Sequence, residues 1–296
     1  MAAWLKLDDP FELLARAIAP PWGNEPLEEA PLKPASWRRV ECEWATHDVL
    51  DCPRDAATAI CIHRLTLPAS LSEPLNSDLL AVSTRAFEDD SGAGRQRDAD
   101  AASNIGGFHS SRDLCDWPSV QEAGLGEMLG RAARACAKAE AERGGREPLP
   151  LPARLHEAWL NVLPARGYNT LHTHPGCTYS GVYYVAGGEG AGAPDGIGGR
   201  LALLVSAPTT LSADANAAHV LPRGPSGGEG EMAAPVPRGG LFAYLLLDPT
   251  PGTCVCFPSF VPHFVVPNDA AAGRREDGPL GPRVSVAFNV SERPGV

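Results

Sequence analysis

The chain has 296 residues, 44% of them hydrophobic, which is enough for a sizeable core and too apolar for a disordered protein. Lysine and arginine number 25 against 36 acidic residues, a formal charge of −11 with no dense basic run, which argues against a nucleic-acid backbone as the main partner. The longest apolar stretches are strand-sized, short of the roughly 20 residues of a membrane span. The start MAAWLKLDDPFELLARAI lacks the basic region and clean apolar stretch of a signal peptide, so a cytoplasmic protein is expected.

Residues 1–60 read as an N-terminal extension. Asp9-Pro10 opens a short amphipathic helix, FELLARAIA, and Pro20-Pro21-Trp22-Gly23 leads into a Pro-rich, acidic connector to about Ser36. Residues 61–296 read as the main domain, entered through a strand in ATAICIHRLTL (57–67). Helical periodicity follows over Ser72–Phe87 and Val120–Arg143, and the Arg and Lys residues of the second helix read as a solvated face. Between them, Asp89–Ala102 is a charged, Gly-bearing loop. Next comes Asn104–Ser111, where Gly106-Gly107 invites close backbone approach or positive φ. His109 there either lines a site or hydrogen-bonds at a turn.

From Leu155 onward the pattern is all strands: LHEAWLNVL, YNTLHTH, TYSGVYYVA, RLALLVS, LFAYLLLD, TCVCFPS, HFVVPN and RVSVAFNV. Eight strands with no helix between them predict a mainly β fold with flanking helices, a double-stranded β-helix (a cupin-like jelly roll) closed enough to hold a cavity. Gly187–Gly199 reads as a flexible connection, since no phosphate-loop lysine follows it. The Pro/Gly-rich insertion 207–239 is either disordered or an active-site lid. The eight cysteines show no Cys-x-x-Cys pair and read as core thiols of a reducing compartment. Cys254 and Cys256 share one strand face, and Cys177 is a bystander or a ligand beside a candidate metal.

Three stretches carry chemistry. In YNTLHTHPG, side chains two apart on a strand point the same way, so Thr170, His172 and His174 share a face. Two imidazoles there are half a metal site, or loop histidines beside a turn. In TCVCFPSFVPHFVV, His263 sits between hydrophobic neighbours, as a core histidine or a ligand. In RVSVAFNV, Val284, Val286, Phe288 and Val290 form an apolar face against Arg283, Ser285, Ala287 and Asn289. That second face meets water, as is usual in antiparallel sheets, or lines a cavity in which Arg283 and Ser285 make an anion clamp.

Taken in order, these blocks resemble the iron(II)/2-oxoglutarate-dependent oxygenases. They are most similar to a subfamily that joins Ser-Asn-x-Gly-Gly-aromatic-His-Ser, His-x-His-Pro-Gly, Ser-Gly-Val-Tyr-Tyr, Phe-Pro-Ser and Arg-x-Ser. The chain carries Ser103 to Ser110, His172 to Gly176, Ser180 to Tyr184, Phe257 to Ser259 and Arg283 to Ser285 in these places. The resemblance implies an oxygenase with Fe(II), the co-substrate 2-oxoglutarate and O2. His172, His174 and His263 are then the metal ligands and catalytic residues. Arg283 takes the far carboxylate of 2-oxoglutarate with help from Ser285, because a guanidinium fork matches a carboxylate. Strand alternation lets only one of Tyr183 and Tyr184 contribute a phenol, and Asn161 is either a further contact or a buried amide bonded to backbone. The expected substrate is a small molecule or a protein side chain, with no nucleic acid and no membrane involved; the oligomeric state is left open.

Two departures stand out. His174 occupies the place where the wider superfamily has a carboxylate, and DAAAGRREDGPLGP lengthens the His263-to-Arg283 spacing and adds Arg274 and Arg275 as rival cations, with Arg200 a third. The alternatives are a three-histidine cupin-like dioxygenase that needs no 2-oxoglutarate, and a non-catalytic jelly-roll binding protein.

Overall fold

A computed structural model describes residues 37–39, 43–53, 59–92, 103–188, 198–205, 243–268 and 282–292. The expected helix at 11–19, the insertion 207–239 and the rivals Arg274 and Arg275 lie outside the described residues.

The strands are β1 (Trp37–Arg39), β2 (Thr46–Pro53), β3 (Ala59–Thr66), β4 (Asn104–Ile105), β5 (Phe108–His109), β6 (Ala158–Leu163) and β7 (Tyr168–His172). They continue with β8 (Tyr179–Gly187), β9 (Leu201–Val205), β10 (Ala243–Leu247), β11 (Thr253–Pro258), β12 (His263–Val265) and β13 (Arg283–Val290). Two sheets result, a larger one ordered β1-β2-β3-β11-β8-β13-β6-β5 and a smaller one ordered β10-β9-β12-β7-β4. Neighbours pair antiparallel, and two sheets facing each other with sequence-distant neighbours make a double-stranded β-helix, as expected. The helices are α1 (Ala69–Gly92), α2 (Pro118–Glu122) and α3 (Leu125–Gly144).

The helices cover the outer face of the larger sheet, α1 over β8 and β6 and α3 over β11 and β3. The period of two in β13 explains why this works. Val284, Val286, Phe288 and Val290 join Leu75 and Leu79 of α1 and Leu129 and Ala132 of α3 in one buried cluster. Each such side chain contributes about 1.5–3 kcal/mol when fully buried. Val182, Tyr184, Leu203, Val255, Phe257 and Val265 fill the space between the sheets instead. The larger sheet therefore has two covered faces, and the polar face of β13 does not meet bulk water.

Glycines mark the tightest contacts. The ring of Phe288 lies on Gly181, where a Cβ would stand 2.2 Å from it. Gly106 has φ 73°, and a Cβ on Gly107 would stand 2.7 Å from the Val162 carbonyl oxygen, so the Gly-Gly pair supplies both properties its sequence invited.

Two expectations are corrected. The helix expected over 120–143 is divided into α2 and α3, because Gly124 adopts φ 71° between them. The boundary at 60/61 falls inside β3, and β2 pairs with β3 along its length, from Thr46 opposite Thr66 to Pro53 opposite Ala59. The described part of the N-terminal extension is thus woven into the larger sheet. Among the described residues no helix is long and apolar enough to cross a membrane.

Candidate active site

His172 ends β7 and His263 begins β12, and the two residues are direct cross-strand partners. His174 follows in a turn where Gly176 has φ 88°. The Phe-Pro-Ser block holds that turn. The His174 N–H donates to the Ser259 carbonyl at 3.0 Å, the Ser259 N–H donates to the Thr178 carbonyl at 3.2 Å, and the Ser259 hydroxyl donates to the Cys177 carbonyl. The three imidazoles converge, with ligand atoms all within 4.8 Å of one another and ring centroids 4.3–5.1 Å apart.

Hydrogen bonds also select the tautomers. His172 Nδ1 lies 2.6 Å from the Thr170 carbonyl and His263 Nδ1 lies 2.9 Å from the Val261 carbonyl. A carbonyl only accepts, so each Nδ1 carries the proton and each Nε2 keeps its lone pair for a metal. Burial, then the neighbouring His172, pushes His263 down to about 3. Burial, His172 and Arg112 push His174 down to about 4, and burial lowers His172 as well. The rings are neutral at neutral pH, the form in which imidazole ligates.

The second half of the site is on β13. Arg283 is 1% exposed, and its Nη1 donates to Ser285 Oγ at 2.9 Å. Its guanidinium carbon lies 5.2 Å over the ring of Tyr184. Burial holds the guanidinium below the usual arginine value, and Tyr184 is the group acting against that. No carboxylate pairs with it among the described residues, and its Nε and the Tyr184 hydroxyl are buried without hydrogen-bond partners. A buried charge left uncompensated costs several kcal/mol, so an anion in the cavity would be stabilised beside this guanidinium.

The neighbours sort themselves by strand parity. Tyr184 faces Arg283, whereas Tyr183 faces the helices and donates to Asn76 Oδ1 of α1 at 2.8 Å. Asn161 stands opposite Ser285 across β6 and β13. Its Oδ1 accepts from Asn104 Nδ2 at 3.1 Å, so its partner is a side-chain amide rather than backbone. Arg200 is ion-paired with Asp248 at 2.6 Å and is no rival clamp. His172, His174, His263, Arg283, Ser285 and Asn161 share the wall of one cavity of about 290 Å³.

Three wall residues were missed or undecided. The Trp159 ring lies 5.7 Å from His174, stacks on His109 at 5.6 Å, and carries the Arg112 guanidinium 5.2 Å above it. Arg112 is itself fixed by Glu157 at 2.8 Å. Trp159 lies two residues before Asn161, so parity alone assigns it to the same face; an aromatic in an apolar run hid it. His109 does both things considered for it, contacting the Ser110 carbonyl through Nδ1 at 2.6 Å and lining the cavity. Cys177 is half-buried and outside the histidine cluster.

Residues 157–289, a little under half of the chain, match the protein family described as "Putative 2OG-Fe(II) oxygenase". That segment contains His172, His174, His263, Arg283 and Ser285. No curated protein matches the chain. Among solved structures, the chain is similar to a prolyl-4-hydroxylase from Pseudomonas putida, at 17% identity and TM-score 0.41 over 78% of this chain and 92% of that one. It is also similar to the non-heme alpha-ketoglutarate-dependent epimerase SnoN of nogalamycin biosynthesis, at 13% identity and TM-score 0.44 over 77% and 78%. A third likeness is AviO1 from Streptomyces viridochromogenes Tue57, at 14% identity and TM-score 0.40 over 79% and 92%.

Fold, site and family match define the class, an enzyme of the 2-oxoglutarate-dependent dioxygenase type with Fe(II) and 2-oxoglutarate as its cofactors. The residues present fit both groups: three neutral imidazoles for the metal, those of His172 and His263 with their tautomers fixed, and a buried guanidinium with an unpartnered Nε for the dicarboxylate.

Proposed function

We propose that the protein is a hydroxylase that uses Fe(II) and 2-oxoglutarate to oxidise a small molecule or a single protein side chain. His172, His174 and His263 hold the metal on one side and leave its remaining positions open, the arrangement that oxygen-activating iron requires. Arg283 and Ser285 bind the far carboxylate of 2-oxoglutarate. When bound, the metal and co-substrate supply the oxidising chemistry that inserts oxygen into a substrate C–H bond, with succinate and CO2 released.

The single observation that carries this reading is Arg283, buried, without a carboxylate partner among the described residues, and on the same cavity wall as the histidines. A dioxygenase that works without 2-oxoglutarate has no use for such a cation, although the all-histidine ligand set would suit it. His174 in the carboxylate's place leaves the metal with one negative charge fewer, which the dianionic co-substrate offsets. Asn161 and Asn104 hold the wall beside Ser285, and Trp159 packs the outer side of His174. A cavity of about 290 Å³ suits a small substrate or one side chain.

The test is turnover of the iron-loaded protein with 2-oxoglutarate. Succinate should form slowly without any substrate, faster with a true one, and not at all in His263→Ala. Oxygen uptake that proceeds undiminished without 2-oxoglutarate would transfer the protein to the three-histidine dioxygenases.

A further inference from the structure

A second cluster of metal-binding side chains lies on the opposite face of the larger sheet, under α3. His47 of β2, His63 of β3 and Cys136 of α3 bring one ligand atom each to within 4.8 Å of one another. All three are sealed from solvent, at 1%, 0% and 0% exposure. Cys256 of β11 is the direct cross-strand partner of His63, and its sulfur lies 3.9 Å from that of Cys254. Glu140 stands four residues after Cys136, on the same side of α3, and accepts from His63 Nε2 at 3.0 Å.

Burying two imidazoles and three thiols between a sheet and a helix costs more than apolar packing would, unless the group does something together. The geometry indicates what. His47 Nε2 and His63 Nδ1 are 3.1 Å apart. Two nitrogens each about 2.0–2.1 Å from one tetrahedral zinc stand about 3.3 Å from each other. Without metal, a single proton shared between these nitrogens occupies that place, in a chain running from His47 through His63 to Glu140. With metal, the proton leaves and the lone pairs of both rings point at the ion. His63 Nε2–H bonded to a carboxylate is the usual outer support of a metal-bound histidine, fixing its tautomer so that Nδ1 is the ligating atom.

We infer that His47, His63 and Cys136 form a structural zinc site. The mixed imidazole–thiolate set selects zinc over the oxygen-preferring cations. Its three ligands are sealed from solvent, so its work is mechanical. It ties β2 and β3, near one edge of the larger sheet, to α3.

The experiment uses the full chain, expressed in cobalt-supplemented medium, with cobalt as a coloured stand-in for zinc. His172→Ala/His263→Ala removes the oxygenase ligands. That double variant should retain about one equivalent of cobalt, show the near-ultraviolet sulfur-to-cobalt charge-transfer band, and lose the band when zinc replaces the cobalt. Cys136→Ala, in which a small buried residue keeps the packing, should abolish the band. If that variant fails to fold, the double variant alone decides. A folded double variant with no bound cobalt, or with cobalt and no sulfur band, overturns the site while leaving the oxygenase reading untouched.

Discussion

Two histidine clusters lie back to back across one sheet, and their difference is more instructive than either alone. Neighbouring residues of β11 face the two: Cys256 points to the outer cluster, while the Phe257 ring lies 4.8 Å from His263 of the inner one. The inner histidines open onto a cavity of about 290 Å³ that is also lined by Arg112 and by the buried Arg283. The outer ones are enclosed by a helix, thiols and a carboxylate. On the readings proposed above, the same imidazole chemistry would serve catalysis where coordination positions stay open and structure where they are closed. What surrounds the ligands, rather than the ligands themselves, sets the role.

The largest expected effect comes from destroying the inner cluster alone. His172→Ala or His263→Ala should bring bound iron and succinate formation to background. Cys136→Ala should leave succinate formation intact, since it lies on the other face. Elemental analysis and a succinate assay on the folded variants check both arms, and parallel loss of turnover in all three would erase the distinction drawn here.

Next in size is the anion clamp. Truncating one partner of a buried charge pair costs about 2–5 kcal/mol, so Arg283→Ala should raise the half-saturating 2-oxoglutarate concentration roughly 30- to several-thousand-fold, with iron content nearly unchanged. Arg283→Lys should recover part of this, because an ammonium lacks the two parallel donors of the fork. Thermal melting adds an independent arm. Among the described residues Arg283 is a buried charge without a carboxylate partner, so Arg283→Met should raise the melting temperature of the ligand-free protein while destroying co-substrate binding.

How far these features could be read from residues alone follows physical range. The face of β13 was legible because strand parity is local; parity also placed His174 beside His172, but the strand ends at His172 and it is the turn at Gly176 that brings the two rings together. The partnership with His263 came through the resemblance, since the β7–β12 register that makes it is a long-range fact. Trp159 looked like core, as aromatics in apolar runs usually are. β2 was invisible because THDVLDCP shows no clean alternation, its polar His47 and Asp48 being adjacent and both buried. The outer cluster left no trace at all: His47, His63 and Cys136 have no ligand spacing, and only tertiary folding brings them together.

Smaller effects probe how strictly the inner cluster depends on imidazole. His174→Asp restores the carboxylate that the wider superfamily uses and should keep iron bound; a folded variant that has lost its iron would remove His174 from the ligand set. Smaller still, Asn161→Ala removes one neutral hydrogen bond to Asn104, worth about 1 kcal/mol, and should shift 2-oxoglutarate half-saturation about fivefold at most.

The most direct measurement is anaerobic titration of the full chain with Fe(II) and then 2-oxoglutarate, followed by visible absorption. Chelation of a metal held by His172, His174 and His263 should produce a metal-to-ligand charge-transfer band that saturates at one equivalent of each. The band should require far more 2-oxoglutarate in Arg283→Ala and be absent in His263→Ala. Iron bound in full with no such band at saturating 2-oxoglutarate would contradict the assignment of this cavity to the co-substrate.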